Sequence, residues 1–504
     1  MNLTPSLIDN SFSATRTLPL SGPRPASALR RSLGLVTLGW VFGAVWFTAT
    51  SGAPLTLFAQ SLHASPFQFG VLTALPFIAS LASVPASFLI DATGKRRRIF
   101  LWGLYVQRFM WFPIALVPVW MLSRFGPAAA GEAMFVFLAL TFVMHCGQGV
   151  GGPAWVSWMA DLVPARVSGK YFSRRRQWAM LTAIPAALFA GLFLDRQGVQ
   201  GPTAILHWCA ILFLGAAVFG IADITLFQFV PDVPREPHRP GLLLRSFAGP
   251  LRDRRFLLFA GLVGTLTFAT QLVGQFANLY LLDVVKVNNT GAQLMLLVAP
   301  MGAQLLVLPI WGMASDRMGK KPLLVLAALG LVPVGLGWCL LGPGDKWLGY
   351  VLSAAGAALW TGVEIANFNF VLEFAGATGP RGGTSYVAVN SVIINIAGCA
   401  GGLVAGGIAQ VLKDWHWTPL PGFKPATFYD VLFVCAAGLR LLAVAGFLPF
   451  LHEPRARSAG YALRFMIAAT WESASGVIPR LMRRPRASGT VARARISVPS
   501  RRAA

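Results

Sequence analysis

Gly312-Met313-Ala314-Ser315-Asp316-Arg317-Met318-Gly319-Lys320-Lys321 sits between two apolar runs, each long enough to cross a membrane. One glycine stands four residues before the aspartate, a second follows three residues after it, and two cations close the stretch. Almost half a chain upstream, Ser87-Phe88-Leu89-Ile90-Asp91-Ala92-Thr93-Gly94-Lys95-Arg96-Arg97-Arg98 repeats the pattern. Ser87 replaces the first glycine there, and Ala92 the basic residue after the aspartate. Each copy lies between the second and third apolar runs of its half. A single copy would be a weak signal. Two at corresponding places indicate a chain built from two related halves.

The composition points the same way. Hydrophobic residues make up 55% of the 504 and charged residues 12%, about half the usual charged share of a soluble domain. Backbone groups inside lipid must be satisfied within the spanning structure, so the choice is helices or a closed barrel. The apolar runs are continuous rather than alternating, which selects helices. Twelve spans are expected near 33–60, 66–90, 99–123, 131–158, 177–195, 203–230, 256–282, 291–314, 322–342, 347–373, 385–412 and 428–451. The fold class is therefore an all-α membrane protein, with twelve transmembrane helices in two pseudo-symmetric six-helix bundles.

A net charge of +24 would suit nucleic acid if a folded soluble domain carried it. The cations instead occupy alternate loops and the tails. One set of loops and tails holds 34 Lys and Arg, the opposite loops 6. That bias places both termini and both repeated loops in the cytoplasm of a multi-pass plasma (inner) membrane protein, and no nucleic-acid partner is expected. The domains read as a cytoplasmic N-terminal tail (1–32), an N-terminal bundle (33–230), a central cytoplasmic loop (231–255), a C-terminal bundle (256–451) and a basic cytoplasmic tail (452–504). Residues 461–483 mix apolar and basic side chains, which suits either an interfacial helix on anionic lipid or a disordered basic tail. The five cysteines fall inside predicted spans without C-x-x-C spacing, so they read as small buried hydrophobes. The sequence shows no metal-ligand cluster, nucleophile–base pair or nucleotide-binding loop, so no enzyme, cofactor or ATP-driven pump is expected.

The repeated loop resembles the signature loop of the major facilitator superfamily, which joins the second and third helices of each six-helix half. A second constellation repeats as well. The fourth span ends Trp155-Val156-Ser157-Trp158-Met159-Ala160-Asp161-Leu162-Val163-Pro164-Ala165-Arg166, and the tenth ends Glu373-Phe374-Ala375-Gly376-Ala377-Thr378-Gly379-Pro380-Arg381. Both carry an acid at the helix end, then Pro and Arg. The resemblance covers residues 33–451 and implies a secondary transporter that moves a small-molecule solute by alternating access, as a monomer in the lipid bilayer, with proton coupling as one option. It also implies a conformational latch of Asp91, Gly94, Lys95, Arg96 and Asp161 in one half, and Asp316, Arg317, Gly319, Lys320 and Glu373 in the other. In that latch Asp91 faces the start of the eleventh span near Thr384 and Ser385, and Asp316 faces the start of the fifth near Gln177. Lys95 or Arg96 pairs with Asp161, Lys320 or Arg317 pairs with Glu373, and the formed contacts hold the outward-open state. A transporter-like sensor or scaffold, binding solute without moving it, is the alternative. The fourth span lacks the arginine of many proton-coupled members, with His145 in that region. The fifth lacks the antiporter G-P-x-x-G-G pattern, which weighs against drug–proton antiport.

Four charges lie inside spans, where an unpaired ion costs about 2.5–3.5 kcal/mol on the lenient scale. Arg108 and Asp223 sit about 14 and 10 Å from the same face at a rise of 1.5 Å per residue, matched for an ion pair. Glu364 and Arg440 sit at similar depths in the second half, matched likewise. The resemblance makes the third, sixth and twelfth spans supporting helices, so Arg108, Asp223 and Arg440 read as structural. Glu364 shares one face of the tenth span with Trp360 and Asn367. Gln271, Gln275 and Asn278 share a face of the seventh by the same spacing. With Trp40 and His145 they form the expected solute or proton site: amides and aromatics around one carboxylate. For any single amide, a hydrogen bond between helices is the competing reading.

Overall fold

The computed structural model describes residues 26–197, 202–232, 243–377, 383–418, 424–451, 453 and 459–474. Among these, twelve helices are long and apolar enough to span a membrane. In chain order they are Ser27–Ala49, Pro66–Thr93, Arg96–Phe125, Pro127–Leu162, Arg174–Gln197, Ala204–Phe227, Arg254–Asp283, Asn289–Ser315, Lys320–Trp338, Lys346–Phe374, Ser385–Val411 and Phe428–Phe450. They are called the first to twelfth spans below. Regular structure among the described residues is otherwise short helices and one isolated bridge, Trp417 to Ala426.

Local chemistry sets several of the helix starts. Ser65 and Gln68 form a reciprocal capping box at the second span, with Ser65 N donating to Gln68 Oε1 at 2.8 Å. Asp253 caps the seventh, accepting from Arg255 N and Phe256 N at 3.0 and 3.2 Å. The two repeated loops share a backbone feature. Gly94 and Gly319 both have positive φ, 67° and 91°, a region that side-chain-bearing residues avoid. The glycine common to both copies of the loop is thus required by the turn that starts the third and ninth spans.

Lipid tails are as apolar as leucine, so close packing of small residues, not hydrophobicity, drives these helices together. The tightest approach is between the second and eleventh spans: a Cβ on Gly70 would stand 2.4 Å from the Gly406 Cα. One aromatic core joins the halves, with Phe58, Phe137 and Phe213 of the first and Phe276, Tyr280 and Phe433 of the second, and another lies within the second half, with Phe256, Phe259 and Phe370. Trp102, Phe135, Leu306 and Trp347 are exposed apolar side chains, as a lipid-embedded surface requires.

Several elements differ from the sequence expectation. The run expected as one first span over 33–60 is two helices, Ala26–Ala49 and Ala53–Ser61, parted at Gly52 (φ 70°). The fifth helix begins early and runs Ala165–Gln197, because nothing after Pro164 interrupts it. The cations 174–176, assigned to a loop, are therefore helical. The seventh span is broken at Gly274 (φ 27°) into Arg254–Val273 and Phe276–Asp283. The central loop contains a helix, Leu243–Arg252. The start of the basic tail is helical over Ala459–Ala474, with Ala462 buried and Phe465 and Met466 packed on the second-half core. Residues 475–483 of that tail lie outside the described ones.

Candidate solute cavity and gates

The first half holds a cavity of about 610 Å³, lined among others by Trp40, Trp46, Arg108, His145, Asp223 and Gln275. Arg108 Nη2 donates to Asp223 Oδ2 at 2.9 Å and Arg108 Nη1 to Gln107 Oε1 at 3.0 Å. The guanidinium carbon lies 3.5 Å from the Trp46 ring centre. Matched depth therefore corresponds to a formed ion pair. Its position differs from the expectation for supporting helices, since both residues form cavity wall. The sixth span packs closely on the first, where a Cβ on Gly43 would stand 2.8 Å from Asp223 Oδ2, and its Gly220 makes room for Arg108 of the third, whose Cδ would stand 2.5 Å from a Cβ there. The fifth span adds Arg175, whose guanidinium lies over Trp40 at 4.5 Å and Trp155 at 4.8 Å. His145 is within 3.4 Å of Gln148 Oε1. Trp46 Nε1 and Gln275 Oε1 are buried without a hydrogen-bond partner among the described residues.

The second half holds a cavity of about 360 Å³, lined by Gln271, Gln304, Ser353, Trp338, Trp360 and Arg440 among others. Gln304 also lines a cleft of about 410 Å³ with Trp40, Arg175 and Arg176. Arg176 Nη2 donates to Gln304 Oε1 across that cleft at 3.1 Å. The three spaces thus share walls through the middle of the molecule.

Two expectations fail here. Arg440 does not pair with Glu364. Its Nη1 donates to Leu331 O at 3.1 Å and its Nη2 reaches Thr270 Oγ1 at 3.5 Å. Glu364 instead accepts from Trp360 Nε1, one turn before it, at 3.1 Å. Equal depth matched their heights, but their helices point them in different directions. Gln271, Gln275 and Asn278 do not share a face, because the break at Gly274 resets the helical phase. Gln271 lines the second-half cavity and Gln275 the first. Asn278 lies in the short helix beyond the break and lines neither. Asn367 accepts from Asn390 Nδ2 at 3.3 Å, an interhelical bond between the tenth and eleventh spans.

The repeated loops lie at one end of the molecule. Arg96 Nη1 donates to Asp161 Oδ2 at 2.5 Å and to Ser157 O at 2.7 Å. Lys320 Nζ pairs with Glu373. Each bridge stays within one half and braces its own loop. Glu453, beyond the last span, caps the ninth by accepting from Lys320 N and Lys321 N, at 3.0 and 2.7 Å on Oε2. Lys95 is exposed, and the Arg317 guanidinium lies 5.6 Å from the Phe465 ring. Asp91 is half-buried, with no hydrogen-bond partner among the described residues. Ser385 is buried and Gln177 exposed, while the side chains of Asp316 and Thr384 lie outside the described residues.

At the opposite end the halves are stitched together. Asp195, ending the fifth span, receives four hydrogen bonds from the start of the eighth: Asn289 N at 2.7 Å, Thr290 N at 3.0 Å, Thr290 Oγ1 at 2.5 Å and Asn288 Nδ2 at 2.9 Å. A carboxylate at a helix N-terminus is favoured by both the free N–H groups and the helix dipole. Gln293 Nε2 crosses to Thr48 O and Ser51 O, both at 3.2 Å, and Gln60 Nε2 to Asp283 Oδ1 at 3.1 Å. Asp195, Gln293, Arg175 and Glu453 escaped the sequence reading. Only Asp195 leaves a trace there, as an acid at a span end, and nothing in the sequence names its partner.

Two six-helix halves closed at one end around shared polar cavities make a membrane solute carrier. The chain belongs to the Major Facilitator Superfamily, which it matches over residues 35–406, and is a transporter, not an enzyme. No curated protein matches the sequence. A mutant of the nucleoside transporter NupG superposes with a TM-score of 0.62 at 14% identity, over 84% of this chain and 100% of that one. A bacterial homologue of the iron transporter ferroportin in an inward-facing state gives 0.59 at 15%, over 84% and 99%. A D-xylose–proton symporter gives 0.58 at 17%, over 82% and 97%. At these identities the likeness is one of fold.

Proposed function

We propose that the chain is a secondary active transporter that moves a small organic solute by alternating access, and that its present conformation is open toward the cytoplasm. The observation that carries this reading is the Asp195 clasp between the fifth and eighth spans, at the end away from the repeated loops. By the cation bias, the sealed end is the outer one and both termini are cytoplasmic, in a plasma or inner membrane. Arg96–Asp161 and Lys320–Glu373 are already formed here, so they brace the loops and do not distinguish the two states. The part of the latch that crosses between halves is assigned to Asp91, which caps the eleventh span when the cytoplasmic end closes, and to Asp316, which faces the fifth span near Gln177; that helix begins at Ala165, so Gln177 lies within it and offers no free N–H to cap. The protein works as a monomer.

Glu364 is proposed as the proton carrier. It is exposed within the tenth span and bonded to Trp360. The central cavities hold the solute, with Trp40, His145 and Gln275 on one side and Gln271 and Trp360 on the other. A thermal-shift screen of the purified protein identifies the solute, and counterflow in proteoliposomes then tests the function. Exchange of the stabilising solute is expected. Binding without flux would replace the transporter by a sensor.

A further inference from the structure

Arg108 and Arg440 are both buried inside spans, and the structure treats them differently. Arg108 has Asp223. Arg440, 7% exposed, has no carboxylate partner among the described residues. Its bonds to a backbone carbonyl and, at 3.5 Å, to a hydroxyl leave the charge uncompensated. A buried cation without a counter-charge is costly, so an anion from outside the protein is the natural complement. Glu364 does not fill that role, being held by Trp360.

We infer that the second-half cavity is a recognition site for a small organic monocarboxylate, whose charged end is held by Arg440. The geometry leaves one edge of the guanidinium for this. Nη1 is committed to Leu331 O, which fixes the plane. Nε has no hydrogen-bond partner among the described residues and is buried, and Nη2 has only its long contact to Thr270, so a small turn of the side chain toward the cavity presents both. Nε and Nη2 form the parallel pair of donors that a carboxylate accepts side-on. The single guanidinium matches one negative charge rather than two. The rest of the cavity is the wrong lining for an inorganic ion: Leu331, Trp338, Trp360 and Phe433 offer an apolar and aromatic bed, and Gln271 and Ser353 supply isolated polar contacts. A volume of about 360 Å³ falls within the usual range of small-molecule pockets. The inference deepens the transporter reading by naming its solute class, although the binding site does not require transport.

The test uses full-length protein in nanodiscs, with tryptophan fluorescence and thermal shift as readouts. The probes are matched acids and amides: benzoate and benzamide, phenylacetate and phenylacetamide, hexanoate and hexanamide, with sulfate as an inorganic control. At least one carboxylate is expected to bind about tenfold or more tightly than its amide. Arg440→Gln should erase that difference. If Arg440→Gln does not fold, Arg440→Lys decides, since it keeps the charge but loses the fork, and about a threefold or larger weakening is expected. Gln271→Ala should change the preferred acid and keep the preference for acids over amides. Equal binding of acid and amide, an unchanged response in either Arg440 variant, an equal effect of sulfate, or silence of every carboxylate would overturn the site. Flux is read separately in proteoliposomes. Carboxylate binding without flux overturns transport and leaves the site standing. Flux of neutral solutes untouched by Arg440→Lys does the reverse.

Discussion

Replacing Asp195 with asparagine keeps the side chain's shape and removes its charge. Four donors converge on the native carboxylate, two of them backbone N–H groups at the start of the eighth span. The amide keeps one acceptor oxygen and turns an N–H₂ toward donors. A single charge-assisted hydrogen bond is worth about 1.5–3 kcal/mol when well made. The residue is only half-buried and water can replace part of the loss, so about 2 kcal/mol for the whole change is the working figure. That free energy acts only on the conformation in which the clasp exists, so it should move the ratio of sealed to unsealed outer ends by about 30-fold. Accessibility of a single cysteine placed at Ser61 to a membrane-impermeant maleimide, in a background free of the five native cysteines, reads that ratio. A change under about threefold, with normal expression and melting, would show that the clasp is not what closes this end.

Arg108→Ala should cost about 3–5 kcal/mol of stability, and the double variant Arg108→Ala with Asp223→Ala less than the two single losses combined, because one buried charge alone is worse than none. Additive losses in a thermal melt would remove the coupling. Gly406→Val should prevent sealing of the outer end, since even a Cβ there would stand 2.8 Å from Phe67 O and 2.9 Å from the Gly70 Cα. An unaltered outer accessibility would show that the spans separate at no cost. Glu364→Gln should abolish pH-driven uptake and spare solute exchange; full pH-driven uptake would leave Glu364 without a coupling role.

How much of this was legible in the sequence depended on whether the signal was local. The loop glycines were legible, because Gly94 and Gly319 answer a backbone demand that shows at a single position. The heights of the buried charges were legible, because helical rise converts residue number into depth, and at matching heights Arg108 and Asp223 do meet. Direction around the helix was not. Glu364 and Arg440 share a depth and point apart. The face drawn through Gln271, Gln275 and Asn278 assumed an unbroken helix. A lone glycine in a helical run costs only about 1 kcal/mol, too little to announce the break at Gly274. Asp195 was out of reach for another reason. Its partners lie in the other half of the chain, and no periodicity links the end of one span to the start of another so distant in sequence.

Alternating access itself is tested most directly by distances across both ends of the same molecule. Spin labels at Ala128 and Lys346 report the sealed end, and labels at Ala92 and Leu372 the end that carries the repeated loops; all four positions are exposed. Without solute the outer pair should be close and the inner pair far. Asp195→Asn should produce a second population in which the outer distance grows and the inner distance shrinks together. If the outer end opens while the inner distance stays unchanged, the two gates are independent and the halves do not rock about a central site.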